Sequence, residues 1–173
     1  PRGEKTNPQR GIYRIKNSFF RFWYAFIFPY MTLLEYGDAE TVYTKLIEPN
    51  LDYFASPVFE DVCIEYLKRK NMLLELPFIF TDIGRWWNKT TEIDAIALDR
   101  SGNIISAECK YRNKQADIAD LKSHIEKDIS ALISSKKSKV YYCYFSFAGF
   151  KESAIEFAKK ENMTLITGED IFA

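Results

Sequence analysis

A phosphate-binding loop, a metal finger and a surplus of charge are all missing from this chain. No G-x-x-x-x-G-K-[ST] run occurs, so it has no nucleotide phosphate loop of its own. Cys63, Cys109 and Cys143 are its three cysteines, dozens of residues apart. That spacing fits no finger, and the odd count suits a reduced, cytoplasmic protein better than a disulfide framework. Basic and acidic residues both number 24, so the formal net charge is zero. A dedicated non-specific nucleic-acid binder carries a basic excess, so any such contact here must come from local patches. No secretory signal opens the chain. The most apolar stretch, Phe19 to Leu34, is interrupted by Arg21 and Pro29. It falls short of the roughly 20 residues a membrane helix needs, and no membrane span is expected.

What is present reads as ordinary globular protein. The 173 residues are 47% apolar and 28% charged, enough for one domain, or one domain with a helical appendage. Aromatics reach 16%, and most belong in a core or an interface. Charge is unevenly spread. Arg2, Lys5, Arg10, Arg14, Lys16 and Arg21 crowd the start, whereas residues 35–65 are acidic with Lys45 the one base. The first residue is Pro1 and not methionine, which reads as a piece of something longer.

The pattern of apolar residues predicts the elements. Residues 11–16 alternate as a short strand. Phe19, Phe22, Trp23, Phe26 and Ile27 recur at helical spacing from about Asn17 to Phe28, stopped near Pro29. Thr41 to Glu48 is a helical turn. Ser56 followed by Pro57 is a helix start, and the helix runs to about Lys70. Ile79 to Trp87, Glu92 to Leu98 and Ile104 to Tyr111 are strands. Asp99 to Asn103 supplies turn chemistry between the last two. Ala116 to Ser134 is a helix, Val140 to Phe147 a strand buried on both faces, Ser153 to Lys160 a helix and Thr164 to Thr167 a last strand. No internal repeat is evident. The expected division is a helical region over 1–50 and an α/β domain over 51–173.

The hairpin carries the chemistry. Centred on Ser101, it sets Asp94 opposite Glu108, and alternation puts Lys110 on the same face. Two facing carboxylates repel, and a divalent cation relieves that efficiently. Hard oxygen ligands suit Mg2+ or Mn2+. Glu60, early in the first long helix and beside its apolar stripe, offers a third carboxylate. A second acid-x-lysine run, Asp120-Leu121-Lys122, falls on a helix and is set aside.

The spacing Asp94-x13-Glu108-Cys109-Lys110 on a hairpin resembles the PD-(D/E)XK nuclease signature. That resemblance implies a restriction-endonuclease-like core: helix, three-strand meander, helix, strand, helix, strand, with a mixed sheet. It also implies roles. Asp94, Glu108 and the backbone carbonyl of Cys109 would hold magnesium, joined by Glu60, while Lys110 would orient or activate the attacking water. Ile93 stands where the signature name has proline. Over nearly the whole chain, Gly11-Ile-Tyr-Arg-Ile-Lys16, Phe20-Arg-Phe-Trp23, Phe59-Glu60, Ile83-Gly-Arg-Trp-Trp87, Glu92-Ile-Asp94 and Glu108-Cys-Lys110 resemble the C-terminal region of archaeal P-loop ATPases. That similarity implies a missing upstream ATPase and a winged helix whose tail is residues 11–16.

Two functional classes follow. One is a metal-dependent DNA phosphodiesterase. The other is a non-catalytic module of nuclease fold that binds DNA or protein as an output arm of the ATPase. Arg85, Trp87, Gln115, Lys136 and Lys137 are candidate nucleic-acid contacts, each with a plain structural alternative. His124, the one histidine, reads as a surface or interhelical residue. A homo-oligomer stays open.

Overall fold

The computed structural model describes residues 15, 17–133, 135 and 137–172. The strand expected over 11–16 lies outside them apart from Ile15, and so does Lys136. Backbone contacts divide the chain into two compact units, with the boundary between Ala55 and Ser56.

The N-terminal unit is helical. Asn17 caps α1 (Ser18–Phe22), its side chain accepting from Phe19 and Phe20 N–H. The chain does not stop at Pro29. A π-turn over Trp23–Ile27 and a 3-10 turn over Phe28–Tyr30 carry it into α2 (Met31–Glu35). Proline lacks an N–H and its ring collides with the carbonyl four residues back in a regular helix. A wide turn followed by a tight one avoids both problems. The same device recurs after α3 (Ala39–Val42), with a π-turn over Tyr43–Ile47 and a 3-10 turn over Glu48–Asn50 around Pro49. Trp23–Met31 and Tyr43–Leu51 are thus a local repeat, against the expectation of none. It escapes notice in sequence because only the isoleucine and the proline are shared. Phe26, Val42 and Ile47 form this unit's small core, with Phe22 and Phe54 against it.

α4 (Leu51–Met72) begins before Ser56 and Pro57, which therefore lie inside the helix and not at its start. Pro57 is the seventh residue of the helix, past its first turn, so it removes one regular helical N–H. Phe59, Cys63 and Leu67 recur at helical spacing and form the buried stripe that covers one sheet face.

The sheet has strands β1 (Asp82–Trp87), β2 (Glu92–Leu98), β3 (Ile104–Lys110), β4 (Val140–Ser146) and β5 (Thr164–Thr167), side by side in chain order. β1 to β3 form an antiparallel meander, and β4 and β5 continue parallel to β3. The hairpin register is as expected from Ser101: Ala95 pairs Ala107 and Ile96 pairs Ser106. α5 (Ile118–Ile125) and α6 (Glu152–Glu161) cover the other face through Leu121, Ala154 and Ala158, which pack on Tyr144. With both faces covered, β3 is buried at all but its last residue, so its sequence reads as a continuous run. This order of helix, meander, helix, strand, helix, strand is the core the resemblance implied.

Two more elements differ from expectation. β1 is shorter than Ile79 to Trp87, because Asn71 at the end of α4 takes the place of a strand partner for Phe80, accepting from its N–H and donating to its carbonyl. α5 ends at Ile125, well before Ser134, and only a 3-10 turn over Ser130–Leu132 follows. The capping box of Asp117 and Asp120 starts that helix, while Lys127 leaves it to reach the sheet.

The last helix, α7 (Gly168–Phe172), was not anticipated. A Cβ at Gly168 would lie 2.9 Å from the carbonyl oxygen of Phe147, so glycine is required where α7 meets the segment after β4. Gly168→Ala is expected to lower unfolding stability by about 1–3 kcal/mol in urea; an unchanged midpoint would show that the backbone relaxes freely there.

Candidate metal centre

The site lies where β2 begins, β3 ends and α5 ends. Glu108 on β3 is only 5% exposed. Lys110, two residues on, donates to its Oε1 at 2.5 Å. Lys127, just past α5, donates to its Oε2 at 2.5 Å and to the Glu92 carbonyl at 2.7 Å. His124 is fully buried, which corrects the expectation of a surface or interhelical residue. Its Nε2 lies 2.9 Å from the Ser106 carbonyl, and its Nδ1, with no hydrogen-bond partner among the described residues, is 3.6 Å from Glu108 Oε2.

Asp94 sits in a bulge. Gly84 pairs Ile96 and Trp86 pairs Ile93, so Arg85 alone on β1 faces Asp94 and Ala95 on β2. A bulge re-aims side chains, and simple alternation no longer fixes where Asp94 points. Its carboxylate is fixed instead by the N–H of Cys109, which donates to Asp94 Oδ2 at 2.8 Å. Asp94 is one step beyond the last ladder pair, Ala95 with Ala107.

Glu60 is held on α4 by Arg85, whose Nε donates to Glu60 Oε2 at 2.7 Å. The same guanidinium reaches Asp61 at 2.9 Å and the Pro57 carbonyl at 3.1 Å. Arg85 therefore clamps β1 to α4. Trp86 is buried and Trp87 half-buried. Gln115 is exposed in the loop between β3 and α5. Lys137 is exposed before β4. Because β4 runs parallel to β3, Lys137 lies at the opposite end of the strands from Lys110, about 20 Å away at strand rise. Thus Asp94, Glu108 and Lys110 come together, Glu60 is drawn toward Arg85, and Lys137 is remote. Sequence reading missed Lys127 and the tie from His124 to Glu108, because nothing local says which end of a helix meets which end of a sheet.

The family model for DUF234, described as archaea bacterial proteins of unknown function, matches residues 23–139, more than half of the chain. The chain belongs to the DUF234 family. It is also similar to the uncharacterized protein MJECL04 of Methanocaldococcus jannaschii, at 33% identity over 156 residues. That match takes in 87% of this chain but 33% of the relative, so the chain spans about a third of the curated relative's length. Among solved structures it is similar to a repair endonuclease from Pyrococcus abyssi, with TM-score 0.44 and 17% identity over 62% of this chain and 46% of that one. Another is AF1548, a protein of unknown function, with TM-score 0.42 and 17% identity over 64% of each chain. A third is an EndoMS-dsDNA2 complex, with TM-score 0.35 and 17% identity over 58% of this chain and 43% of that one. At these TM-scores the likenesses carry no weight for what the DUF234 chain does.

Its own electrostatics say more. Burial, and then the charge of Glu108, push Asp94 up to about 7, against the Cys109 N–H that favours its anion. Burial acts upward on Glu108 too, but Lys110 and Lys127 outweigh it and hold Glu108 below its ordinary value. Burial acts downward on Lys110, yet Glu108 outweighs it and raises Lys110. Burial lowers His124, which favours the neutral ring. Asp94 is therefore the group short of positive charge, and it sits beside a second carboxylate. Among the described residues no set of three or more His, Cys, Asp or Glu groups could hold an ion. The two carboxylates present, Asp94 and Glu108, fit magnesium, which takes one or two and keeps several waters. Asp94, Glu108 and the Cys109 carbonyl are the donors that would hold it.

An acid whose pKa is higher folded than unfolded binds its proton more tightly in the fold. Its neutral form favours folding, and stability falls as pH rises from the unfolded value of about 4 to the folded value of about 7. In metal-free buffer, Asp94→Asn should remove a loss on the order of 1–3 kcal/mol between pH 5 and pH 8. Parallel urea titrations of both proteins at the two pH values measure it; identical pH profiles would contradict the raised pKa.

Proposed function

We propose that this chain is a magnesium-dependent DNA phosphodiesterase module with Asp94, Glu108 and Lys110 at its centre. The observation that carries the reading is the meeting of Asp94 and Glu108 where β2 begins and β3 ends, with Lys110 Nζ 2.5 Å from Glu108 Oε1. Magnesium bound there supplies a water of lowered pKa and positive charge against the phosphate. The chain's own groups do the rest. The Cys109 N–H fixes the rotamer of Asp94. Glu108 keeps Lys110 charged, so Lys110 serves as a hydrogen-bond donor that orients water or phosphate and not as a base. Arg85 fixes Glu60 and braces α4 against β1. Gln115, exposed after β3, and Trp87 at the end of β1 are the rim contacts within reach of a strand. The share of the M. jannaschii relative lying outside the matched region leaves room for an upstream ATPase and winged helix that this module would serve.

One observation favours a second reading, a non-catalytic module that binds DNA or protein. Both Glu108 oxygens already carry ammonium groups and Glu60 carries a guanidinium, so much of the charge is balanced without an ion. The two readings part on cleavage. With Mn2+, the purified chain is expected to cut DNA, and Asp94→Ala or Lys110→Ala to lower the rate by about a hundredfold or more. DNA binding without cutting of duplex, single-stranded or branched DNA would instead support the second.

A further inference from the structure

Lys127 belongs neither to the acidic pair nor to the Glu-x-Lys run, yet it makes one of the two shortest contacts of Glu108. Its ammonium lies 2.5 Å from Oε2 and 2.7 Å from the carbonyl of Glu92, bridging α5 to both strands. Lys110 has Oε1 at 2.5 Å. An ammonium and a divalent ion repel each other, so an ion cannot take Oε2 while Lys127 stays on it. His124 does not share that task. Its Nε2 faces the Ser106 carbonyl, a pure acceptor, and so carries the ring proton. Nδ1 then turns a lone pair toward Oε2, which attracts nothing. Among the described residues, Lys127 alone holds the carboxylate on that side. It also has somewhere to go: its side chain is 22% exposed. An open cleft of about 460 Å3 begins at Lys127 and is lined by Thr90, Thr91, Glu92, Ser123 and Glu126.

We propose that Lys127 is the resting counter-ion of the site, a positioning residue that holds Glu108 Oε2 until a divalent cation displaces it into the cleft. The inference rests on Asp94 and Glu108 being a cation pair. Lys127 works through Glu108 and not on the reacting atoms. It keeps a nearly buried carboxylate folded and correctly turned in the absence of metal, and it sets the metal concentration at which the site fills. The acids of the cleft, Glu92, Glu126 and Asp128, offer the displaced ammonium new partners.

The test is calorimetric titration of Mn2+ into wild type, Lys127→Met, Lys127→Gln and Lys127→Arg, with thermal unfolding of each in chelator. The two neutral variants should bind Mn2+ roughly tenfold tighter or more, the worth of one charged hydrogen bond, and yet unfold at lower temperature without metal. Lys127→Arg keeps the charge and should bind as wild type does. The opposite signs are the point, since a merely structural lysine would lower the unfolding temperature without tightening Mn2+. Tighter binding in Lys127→Gln alone suffices if Lys127→Met fails to fold. If wild type binds Mn2+ and the neutral variants bind it equally or more weakly, the counter-ion role is overturned and the cation pair stands. If no protein binds Mn2+, the cation pair and the inference both fall.

Discussion

Glu108 is an acid on the central strand of a sheet covered on both faces, and its charge has to be met where almost no water reaches. An unpaired carboxylate in such a place costs several kcal/mol. The surrounding structure answers with charge from two directions. Lys110 comes along the same strand, and Lys127 comes from the end of α5. The early end of α5 at Ile125 makes the second approach possible. A helix continuing to Ser134 would carry residue 127 along its own surface, whereas leaving the helix lets its side chain reach Glu92 and Glu108 together.

Asp94 is what remains after Glu108 is satisfied. The bulge opposite Arg85 brings its carboxylate under the Cys109 N–H, while burial and Glu108 drive it toward the protonated form. Two acids in the field of Lys110 would make an ordinary ion network if both were comfortable. Here Lys110 and Lys127 hold one low, while burial and its neighbour's charge push the other high. Arg85 couples this to the rest of the domain. From the strand that faces the bulge it grips Glu60 and Asp61 on α4, so the long helix and the bulge are braced by one guanidinium.

The core order of elements was legible because each is announced by local chemistry. The turn from Asp99 to Asn103 sets the hairpin register, the continuous apolar run marks β4, and helical stripes mark α4 and α6. That register alone was enough to bring Asp94 and Glu108 to neighbouring positions. What was not legible depends on tertiary context. The bulge at Asp94 is a property of the pairing with β1, and the helix through Pro29 depends on a π-turn no propensity signals. Lys127 reads as one more surface charge until α5 is laid on the sheet. Arg85 carried two readings, a nucleic-acid contact or a packed arginine, and only the fold shows its guanidinium engaged on α4.

The proposed function needs one ion lying between two carboxylates. A crystal grown with Mn2+ and measured at the manganese absorption edge locates such an ion directly. A single anomalous peak is expected at ligand distance, roughly 2.0–2.3 Å, from both Asp94 and Glu108, with Lys127 turned away from Oε2. A soaked crystal with no peak there, and Lys127 still on Glu108, would contradict that function.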